Sequence, residues 1–496
     1  MDPKIIADLH KFYPEIVITG TFLLVIVADL VFGRLRRAVT FALTVLGLVA
    51  AFALTLPLFG AAPGTMFSDM LALDPMALFF KAFLILASLL VVLAAPGSRE
   101  LSGSGLGEFY ALLLGVTLGM ILLASSTDLL MLFLSLEMVS VGSYIMVGYL
   151  RNDRQSNEAS LKYLLFGAVS TGVMLYGITL LFGVTGSTKL IVVRHALAGA
   201  ATPGENSLIL LVSTLFILAG LGFKIAAVPF HFWCPDVYTG APTPVTAFLS
   251  VAPKAAGFAI LVRFFFTGLS QAGQGLTWIT FASINWMPIV MVLSIVTMTF
   301  GNIAALRQEN MKRLLAYSSI AHAGYILMGA VVLTSDGLQA VLVYLITYLF
   351  MNLGAFMIVI EIYNRTGSFE LKDYRGFYRR SPFLSVSMSV FLLSLMGIPP
   401  LAGFFGKLYV FAAAVNRDLA WFAVIGALNS VVAVYYYARV MKTMVIDGGD
   451  ETSPVHASWD STALIWVMLI PTVGLMLFWD QVQKITSGSV GLFLGN

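Results

Sequence analysis

The sequence predicts an all-α integral membrane protein, and two observations carry that prediction. Hydrophobic residues make up 59% of the 496 positions and charged residues only 11%, whereas a soluble domain carries roughly 25% charged residues. The apolar residues are also gathered into segments close to the ~20 residues that a helix needs to cross the hydrocarbon core. Backbone in lipid must satisfy its own hydrogen bonds, so we expect these segments to be helical.

About fourteen apolar segments follow one another along the chain. The segment at 383–415 is too long for one span and holds a cluster of glycines and prolines, which predicts a broken helix. The seventh segment runs into proline-rich sequence after Lys224 and is also expected to break. The segments lie at 13–32, 39–60, 76–95, 109–126, 129–149, 160–184, 208–229, 241–267, 285–306, 313–333, 338–363, 383–415, 419–443 and 461–482.

The charges of the connecting loops predict the orientation of these helices. Basic residues are frequent in the connections after odd-numbered segments, and they are sparse after even-numbered segments, where Lys189, Arg194, Arg417 and the helix-end Arg263 lie. Because cytoplasmic loops carry the excess of lysine and arginine, both termini are expected on the outer side of the membrane. The residues assigned to the cytoplasmic side include Arg34, Arg36, Arg37, Arg151, Arg154, Arg307, Lys312, Arg313, Arg365, Arg379 and Arg380.

The order of the segments suggests an internal repeat. Segments four to eight and nine to thirteen form two blocks of five helices, at 108–268 and 285–446, between an N-terminal part at 1–107 and a last helix within 447–496. An odd number of spans would invert the second block relative to the first, as in many transporters. Lys224 and Lys407 then occupy matching broken helices, although two proline-containing helices could also match by chance.

Five lysines stand inside apolar segments, where each costs about 3 kcal/mol at the centre of a span. Lys81 is close to a helix end, so we expect its ammonium to reach the interface. Lys162 follows Glu158 by one turn, which fits either an ordinary surface pair or a functional one. The remaining three, Lys224, Lys254 and Lys407, have no acid beside them in sequence, which favours a function.

Among the other ionisable residues, Glu137 stands near the middle of the fifth segment without a local partner. A structural ion pair would still need another buried ion, most plausibly Lys224. His322 lies mid-helix and is either a core residue or a proton relay. His231 is either a loop residue or a link to the cytoplasmic side, and Glu361 is expected to be wetted at a helix end.

These residues together favour ion movement over redox chemistry. The charge on a buried lysine responds to the charge of a neighbouring carboxylate, so the pair can load and release a proton. Glu137, Lys224, Lys254 and Lys407 are therefore predicted stations on a hydrated path. The single cysteine, Cys234, excludes a cysteine-ligated iron–sulfur cluster. No dinucleotide fingerprint is found, and the net charge of +3 gives no indication of nucleic-acid binding.

Three runs of sequence resemble a known family. They are FHFWCPDVYTGAPTPVTAFLSVAPKAAGF at 230–258, AYSSIAHAGYILMG at 316–329 and GIPPLAGFFGK at 397–407. Together they resemble the antiporter-like membrane subunits of bacterial respiratory complex I, the NADH-quinone oxidoreductase. Lysine rather than glutamate at 407 and the PDVYTGAP run are similar to the subunit N group within that family.

The resemblance implies a role for each candidate residue. Glu137 would pair with Lys224, Lys254 would connect the two halves, and His322 would link toward Lys407 near the outer exit. Glu158 and Lys162 would belong to the inter-subunit or coupling part of the path.

The resemblance also implies partners and a location. The chain would translocate protons in the bacterial inner membrane, beside other complex I membrane subunits, and it would contact the hydrophilic NADH-oxidising arm only indirectly. FMN, iron–sulfur clusters and quinone would belong to partner subunits, with no cofactor in this chain. The alternatives are an Mrp-type cation/proton antiporter subunit, a quinone-binding redox subunit and a purely structural anchor.

Overall fold

Helices build almost the whole chain in the computed structural model, which describes residues 3–33, 35–102, 105–199, 207–275, 277–449, 453–455 and 457–492. Within these ranges, thirteen helices are long and apolar enough to cross a membrane. Two shorter apolar helices, Pro382–Met396 and Ala402–Asn416, follow one another and form a further, broken span. The expectation of about fourteen spans is therefore confirmed.

The N-terminal part contains three spans. A short helix, α1, precedes them, and a two-stranded antiparallel ribbon, β1–β2, lies between the second and third spans. The elements are α1 (Pro3–Lys11), α2 (Tyr13–Val31), α3 (Arg36–Thr55), β1 (Gly64–Met66), β2 (Leu71–Leu73) and α4 (Pro75–Ala94).

The first five-span block follows. Its elements are α5 (Leu106–Ser125), α6 (Leu129–Val147), α7 (Arg154–Thr185), the short α8 (Leu190–Gly199), α9 (Ser207–Ile225), α10 (Trp233–Gly240) and α11 (Thr243–Arg263). A second antiparallel ribbon, β3 (Ser270–Ala272) with β4 (Trp278–Thr280), leads to the next block. The two ribbons are small exceptions to the all-α prediction.

The second block and the C-terminal span complete the chain. Their elements are α12 (Met287–Ala305), α13 (Met311–Val331), α14 (Ser335–Thr366), α15 (Phe377–Arg380), α16 (Pro382–Met396), α17 (Ala402–Asn416), α18 (Ala420–Val445), α19 (Trp459–Gly474) and α20 (Trp479–Gly488). Here α16 and α17 are the broken pair, as α9 and α10 are in the first block.

The third helices of the two blocks are built alike. Both α7 and α14 are 32 residues long, and both end at a left-handed glycine, Gly186 with φ 69° and Gly367 with φ 70°. Glycine adopts this conformation without the steric penalty of a Cβ. The sequences around the two caps match as well, TGSTKL at 185–190 and TGSFEL at 366–371.

After each cap the chain turns back to the start of the second helix of its own block. The Leu190 N–H donates to the Thr127 carbonyl at 2.9 Å, and the Leu371 N–H donates to the Glu309 carbonyl at 2.7 Å. These contacts are equivalent in position within their blocks. The two blocks thus share one construction, as an internal repeat requires, and the odd number of spans in each inverts the second.

The first two helices of each block also cross at matched glycines. Gly142 packs against Val116 and Gly324 against Met298, so each crossing lets two helices approach closely. A Cβ built on Gly324 would lie 2.5 Å from the Met298 backbone nitrogen. Backbone atoms at this crossing leave no room for a side chain.

We therefore expect Gly324→Leu to prevent stable assembly, because overpacking against backbone costs at least ~1–3 kcal/mol. The matched control is Gly172→Leu, where a Cβ would have no atom of this chain within 4 Å. The amount of folded protein extracted from membranes in mild detergent measures the effect. Equal yields of the two variants would show that the crossing is not tightly packed.

Candidate functional site

Two helix breaks place lysines inside the protein. The first break separates α9 from α10, and Lys224 lies in the last turn of α9 with 1% of its surface exposed. The second separates α16 from α17, and Lys407 lies within α17 at 5% exposure. Both predicted breaks are confirmed. Unwound backbone at membrane depth is tolerated where protein covers it or where it lines water.

Lys224 contacts a serine rather than a carboxylate. Its Nζ donates to Ser140 Oγ at 3.3 Å, and Ser140 lies one turn after Glu137 on α6. The Glu137 Oε1 atom is buried without a hydrogen-bond partner. Within the described ranges no Glu137–Lys224 ion pair forms within 4 Å, but the Glu137 carboxylate still acts electrostatically on the Lys224 ammonium.

Lys254 reaches from the first block into the second. It lies on α11, whose residues are all buried. Its Nζ donates to Ser319 Oγ on α13 at 2.5 Å and lies 5.6 Å from the centre of the Tyr238 ring. The contact with Ser319 is one of the hydrogen bonds that join the two blocks.

His322 lies one turn beyond Ser319 on the same helix, at 2% exposure. Its Nδ1 shares a hydrogen bond with the Tyr344 hydroxyl at 2.7 Å, and its Nε2 shares one with the Tyr437 hydroxyl at 3.2 Å. Tyr437 also bonds to Ser318. An imidazole between two hydroxyls forms a connected chain of groups that can each give and accept a proton.

Lys407 lies at the second break. It is the last member of what we call the buried row, which consists of Lys224, Lys254, His322 and Lys407 with the side chains that bond to them. Its Nζ donates to the Met396 carbonyl at 2.7 Å and lies 4.9 Å from the centre of the Tyr325 ring, one turn beyond His322. A Cβ on Gly397 would lie 2.8 Å from the Lys407 Cδ atom. Glycine at 397 thus makes room for the lysine side chain, and its φ of 86° ends α16.

Glu158 and Lys162 lie apart from this buried row. Lys162 Nζ is 2.9 Å from Glu158 Oε1 and 2.7 Å from Asp236 Oδ2, and Asp236 also pairs with Arg313 at 2.6 Å. The four side chains are between 31% and 57% exposed. They form a surface network that connects α7, α10 and α13. Sequence reasoning did not single out Asp236 or Arg313, although Asp236 stands in the PDVYTGAP run.

Lys81 does not reach the interface, so the expectation for it was wrong. Its Nζ is 2.6 Å from Glu15 Oε1, and both side chains are only 2% exposed. The carboxylate on α2 pairs with the ammonium on α4, so neither group needs water as its partner. Glu15 was missed because it stands at the start of an apolar segment, where an acid is expected to be solvated.

A second missed ion pair joins α11 to α4. Arg263 NH1 and NH2 donate to the two Asp74 carboxylate oxygens at 2.8 and 2.9 Å, and both side chains are 0% exposed. From the sequence, Arg263 was expected only to lie at a helix end. Asp74 also caps α4 by accepting from the Ala77 N–H at 2.8 Å, and an aspartate before a proline was the available signal.

Three further residues expected near water or in loops are buried. Glu361, expected to be wetted, is 5% exposed. Lys312, assigned to a cytoplasmic loop, is 1% exposed and donates to the Ala241 carbonyl at 2.5 Å. His231 is 3% exposed and packs its ring 4.6 Å from that of Phe300. Helix ends in this protein are covered by neighbouring elements, which loop charges alone do not indicate.

The Glu15–Lys81 pair gives a stability prediction. We expect Lys81→Met to lower the free energy of unfolding by about 3–5 kcal/mol, because it leaves a carboxylate buried without its partner. The double variant Lys81→Met with Glu15→Gln removes both charges and should regain most of the loss. Thermal inactivation of the purified protein measures both. A single variant as stable as the parent would contradict the pairing.

The described residues contain no group of three or more His, Cys, Asp or Glu side chains arranged for a metal ion.

The chain is similar to known membrane proteins over almost its full length. A family model described as NADH:quinone oxidoreductase/Mrp antiporter, transmembrane, matches residues 126–433. NADH-quinone oxidoreductase subunit N of Anaeromyxobacter sp. is 43% identical, covering 98% of this chain and 97% of that protein. NAD(P)H-quinone oxidoreductase subunit 2 of Gloeobacter violaceus is 44% identical, covering 88% and 82%.

Solved structures show the same fold. A chain of respiratory complex I from Thermus thermophilus superposes with a TM-score of 0.75 at 33% identity, covering 94% of this chain and 98% of that one. A chain of the Mrp complex from Dietzia sp. gives a TM-score of 0.81 at 19% identity, covering 97% of each. At that identity the second likeness concerns the fold alone.

Proposed function

Because this chain belongs to the NADH:quinone oxidoreductase/Mrp antiporter family of transmembrane proteins, we propose that it is the proton-translocating membrane subunit of an NADH-quinone oxidoreductase. One observation carries the proposal. Lys224, Lys254 and Lys407 are buried, and the bonds they donate go to neutral oxygens, two serine hydroxyls and one backbone carbonyl. A purely structural ammonium would be expected to pair with a carboxylate, as Lys81 does with Glu15 at 2.6 Å and Lys312 with Glu100 at 3.9 Å.

The contacts support an order of proton transfer. Lys224 bonds to Ser140, one turn after Glu137, and the Glu137 carboxylate acts electrostatically on the ammonium, so a change of charge at one group acts on the other through a low-dielectric interior. Lys254 would then transfer the proton to the second block through its hydrogen bond with Ser319. The next groups in this order are His322, which lies on α13 with Ser319, and then Lys407 on α17.

Each step needs the side chain to gain and lose a proton. An ammonium that donates to a serine can return as a neutral amine that accepts from the same hydroxyl, without moving its neighbours. His322 between two tyrosine hydroxyls offers the same exchange. Water in the broken-helix regions would bridge the longer gaps. Lysine suits protons better than sodium, since an ammonium cannot coordinate a cation.

Electron transfer is assigned to partner subunits. Relatives are named as subunits of NADH-quinone oxidoreductase, and a solved neighbour is a chain of respiratory complex I. We propose that FMN, iron–sulfur clusters and quinone are held by those partners, because the single cysteine of this chain cannot ligate a cluster. The loop charges support both termini outside a bacterial inner membrane.

The surface network has a separate role in this proposal. Glu158, Lys162, Asp236 and Arg313 are half-exposed on one side of the chain. We propose that this side faces a neighbouring membrane subunit of the complex, where the charges respond to its conformation. Charged side chains at such positions give specificity and orientation to an interface more than affinity.

The proposal is tested by tagging the chain in its native host and purifying it in mild detergent. Flavin and iron–sulfur absorbance, with NADH dehydrogenase activity in the same fraction, is the expected result. A colourless preparation that contains only other antiporter-like membrane chains would overturn the redox-linked function. It would support an Mrp-type cation/proton antiporter instead, and sodium dependence would then be measured.

A further inference from the structure

A cleft of about 890 Å³ opens where the N-terminal spans meet α14 and α19. Its walls carry apolar side chains from five helices, among them Phe41 on α3, Leu93 on α4, Leu106 on α5, Met357 on α14 and Leu464 on α19. None of the lysines of the buried row lines it. The cleft therefore belongs to a different part of the molecule from the proposed proton path.

Three charged residues of the cleft lie at helix ends. Arg37 is in the first turn of α3, Arg365 is in the last turn of α14, and Asp460 is in the first turn of α19. Trp459 beside them is 82% exposed, and tryptophan is enriched at the membrane–water interface. The cleft thus has charged groups at one end and apolar walls below them. A bilayer leaflet has the same arrangement, with polar head groups above acyl chains.

The charges of the lining are balanced. Two guanidinium groups, those of Arg37 and Arg365, face the same space as the carboxylates of Glu361 and Asp460. Glu361 is 5% exposed and interacts with Ser461 and Arg365. Guanidinium groups bind phosphate by paired hydrogen bonds, whereas the carboxylates favour a cationic donor and oppose a second anion. A ligand that carries both a phosphate and an ammonium fits this pattern.

We propose that the cleft is a binding site for a zwitterionic phospholipid with a primary ammonium, phosphatidylethanolamine. The phosphate lies at Arg37 and Arg365, and the ammonium lies at Asp460 with Glu361 beneath it. The acyl chains continue along the apolar walls. A purely anionic lipid would bring its second charge or its hydroxyl groups to the two carboxylates.

The site lies at the junction between the N-terminal part and the end of α14. Asn364 donates to the Gly97 carbonyl at 2.7 Å and accepts from the Arg99 N–H at 2.8 Å, which joins the end of α14 to the loop after α4. A lipid in the cleft contacts α3, α4, α14 and α19 at once. It would therefore hold the three N-terminal spans against the rest of the protein.

The test uses the purified complex, stripped of loosely bound lipid and exposed to vesicles of equal phosphatidylethanolamine and phosphatidylglycerol. Lipid retained after washing is quantified by mass spectrometry for the parent, for Arg37→Gln/Arg365→Gln, and for Asp460→Asn. The control is Arg36→Gln, which removes the same charge from an exposed neighbour that does not line the cleft. We expect the double variant to lose a phosphatidylethanolamine molecule that the control keeps.

Asp460→Asn is expected to weaken the preference for phosphatidylethanolamine over phosphatidylglycerol while leaving a lipid bound. As a second measurement, a photoactivatable phosphatidylethanolamine should crosslink to the peptides around Phe41 and Leu464, and the double variant should reduce that crosslink. The proposal is overturned if the double variant retains the same lipids as the control. It is equally overturned if the crosslink maps elsewhere, or if the retained molecule is phosphatidylglycerol or a quinone.

Discussion

Lys224→Ala is expected to reduce quinone-linked proton pumping at least about tenfold, since a positioned proton-transfer group typically contributes about 10²–10⁴-fold. The reason is the position of the ammonium, buried at the first helix break beside Ser140 and near Glu137. Alanine removes the ammonium that we propose exchanges the proton, but it leaves the glycines and prolines of the helix break in place. Acidification of the lumen of inside-out membrane vesicles with NADH as donor measures the effect.

The control for this variant is Lys189→Ala. Lys189 is 42% exposed and pairs with Asp69 at the surface at 2.9 Å, so its loss removes a lysine without touching the buried row. Subunit content of the purified complex shows whether each variant assembles. Wild-type pumping by an assembled Lys224→Ala complex would exclude the lysine from the proton path.

Arg263→Met is expected to cause the largest loss of stability. The Asp74 carboxylate would remain at 0% exposure without its bidentate guanidinium partner, which costs about 3–5 kcal/mol. Arg263 also donates to the Ala124 carbonyl, so three elements lose a common contact. We expect the variant chain to be degraded or absent from the complex, which immunoblotting of membranes measures.

The compensating variant separates charge from shape. Asp74→Asn with Arg263→Gln removes both charges, while the asparagine can still cap α4 through the Ala77 N–H. We expect this double variant to assemble better than Arg263→Met alone. If it is lost to the same extent, packing around residue 263 rather than the unpaired carboxylate explains the defect.

The spans, the breaks and the deep lysines could be predicted because their signals are local. An apolar run of about twenty residues is visible without tertiary knowledge. A lysine inside such a run stands out by its cost alone, and this identified Lys224, Lys254 and Lys407. The glycines and prolines that interrupt the seventh and twelfth spans are equally local.

The partners of those charges could not be predicted, because they come from distant helices. Glu15 and Lys81 meet across α2 and α4, and Asp74 meets Arg263 across α4 and α11. In each case one member was read as a helix-end residue near water. A single sequence gives hydropathy along the chain but not which helices are neighbours.

The neutral residues of the buried row could not be predicted from the sequence either. Ser319, Tyr344 and Tyr437 make the side-chain contacts of Lys254 and His322 along the proposed path. Hydroxyl residues are common in membrane helices and often bond to their own backbone, so their presence alone indicates nothing. Only the packing of α13 against α11, α14 and α18 gives them partners across helices.

The central claim is that the two blocks form one proton path joined at Lys254. It is tested most directly by counting protons translocated per NADH oxidised in vesicles containing the reconstituted complex, for the parent and for Lys254→Met. Methionine keeps an unbranched side chain that is one atom shorter, but it cannot carry a proton to Ser319. We expect Lys254→Met to translocate fewer protons per NADH oxidised. If proton pumping and NADH oxidation are tightly coupled, we expect both rates to fall by the same factor. An unchanged ratio at an unchanged oxidation rate would contradict it.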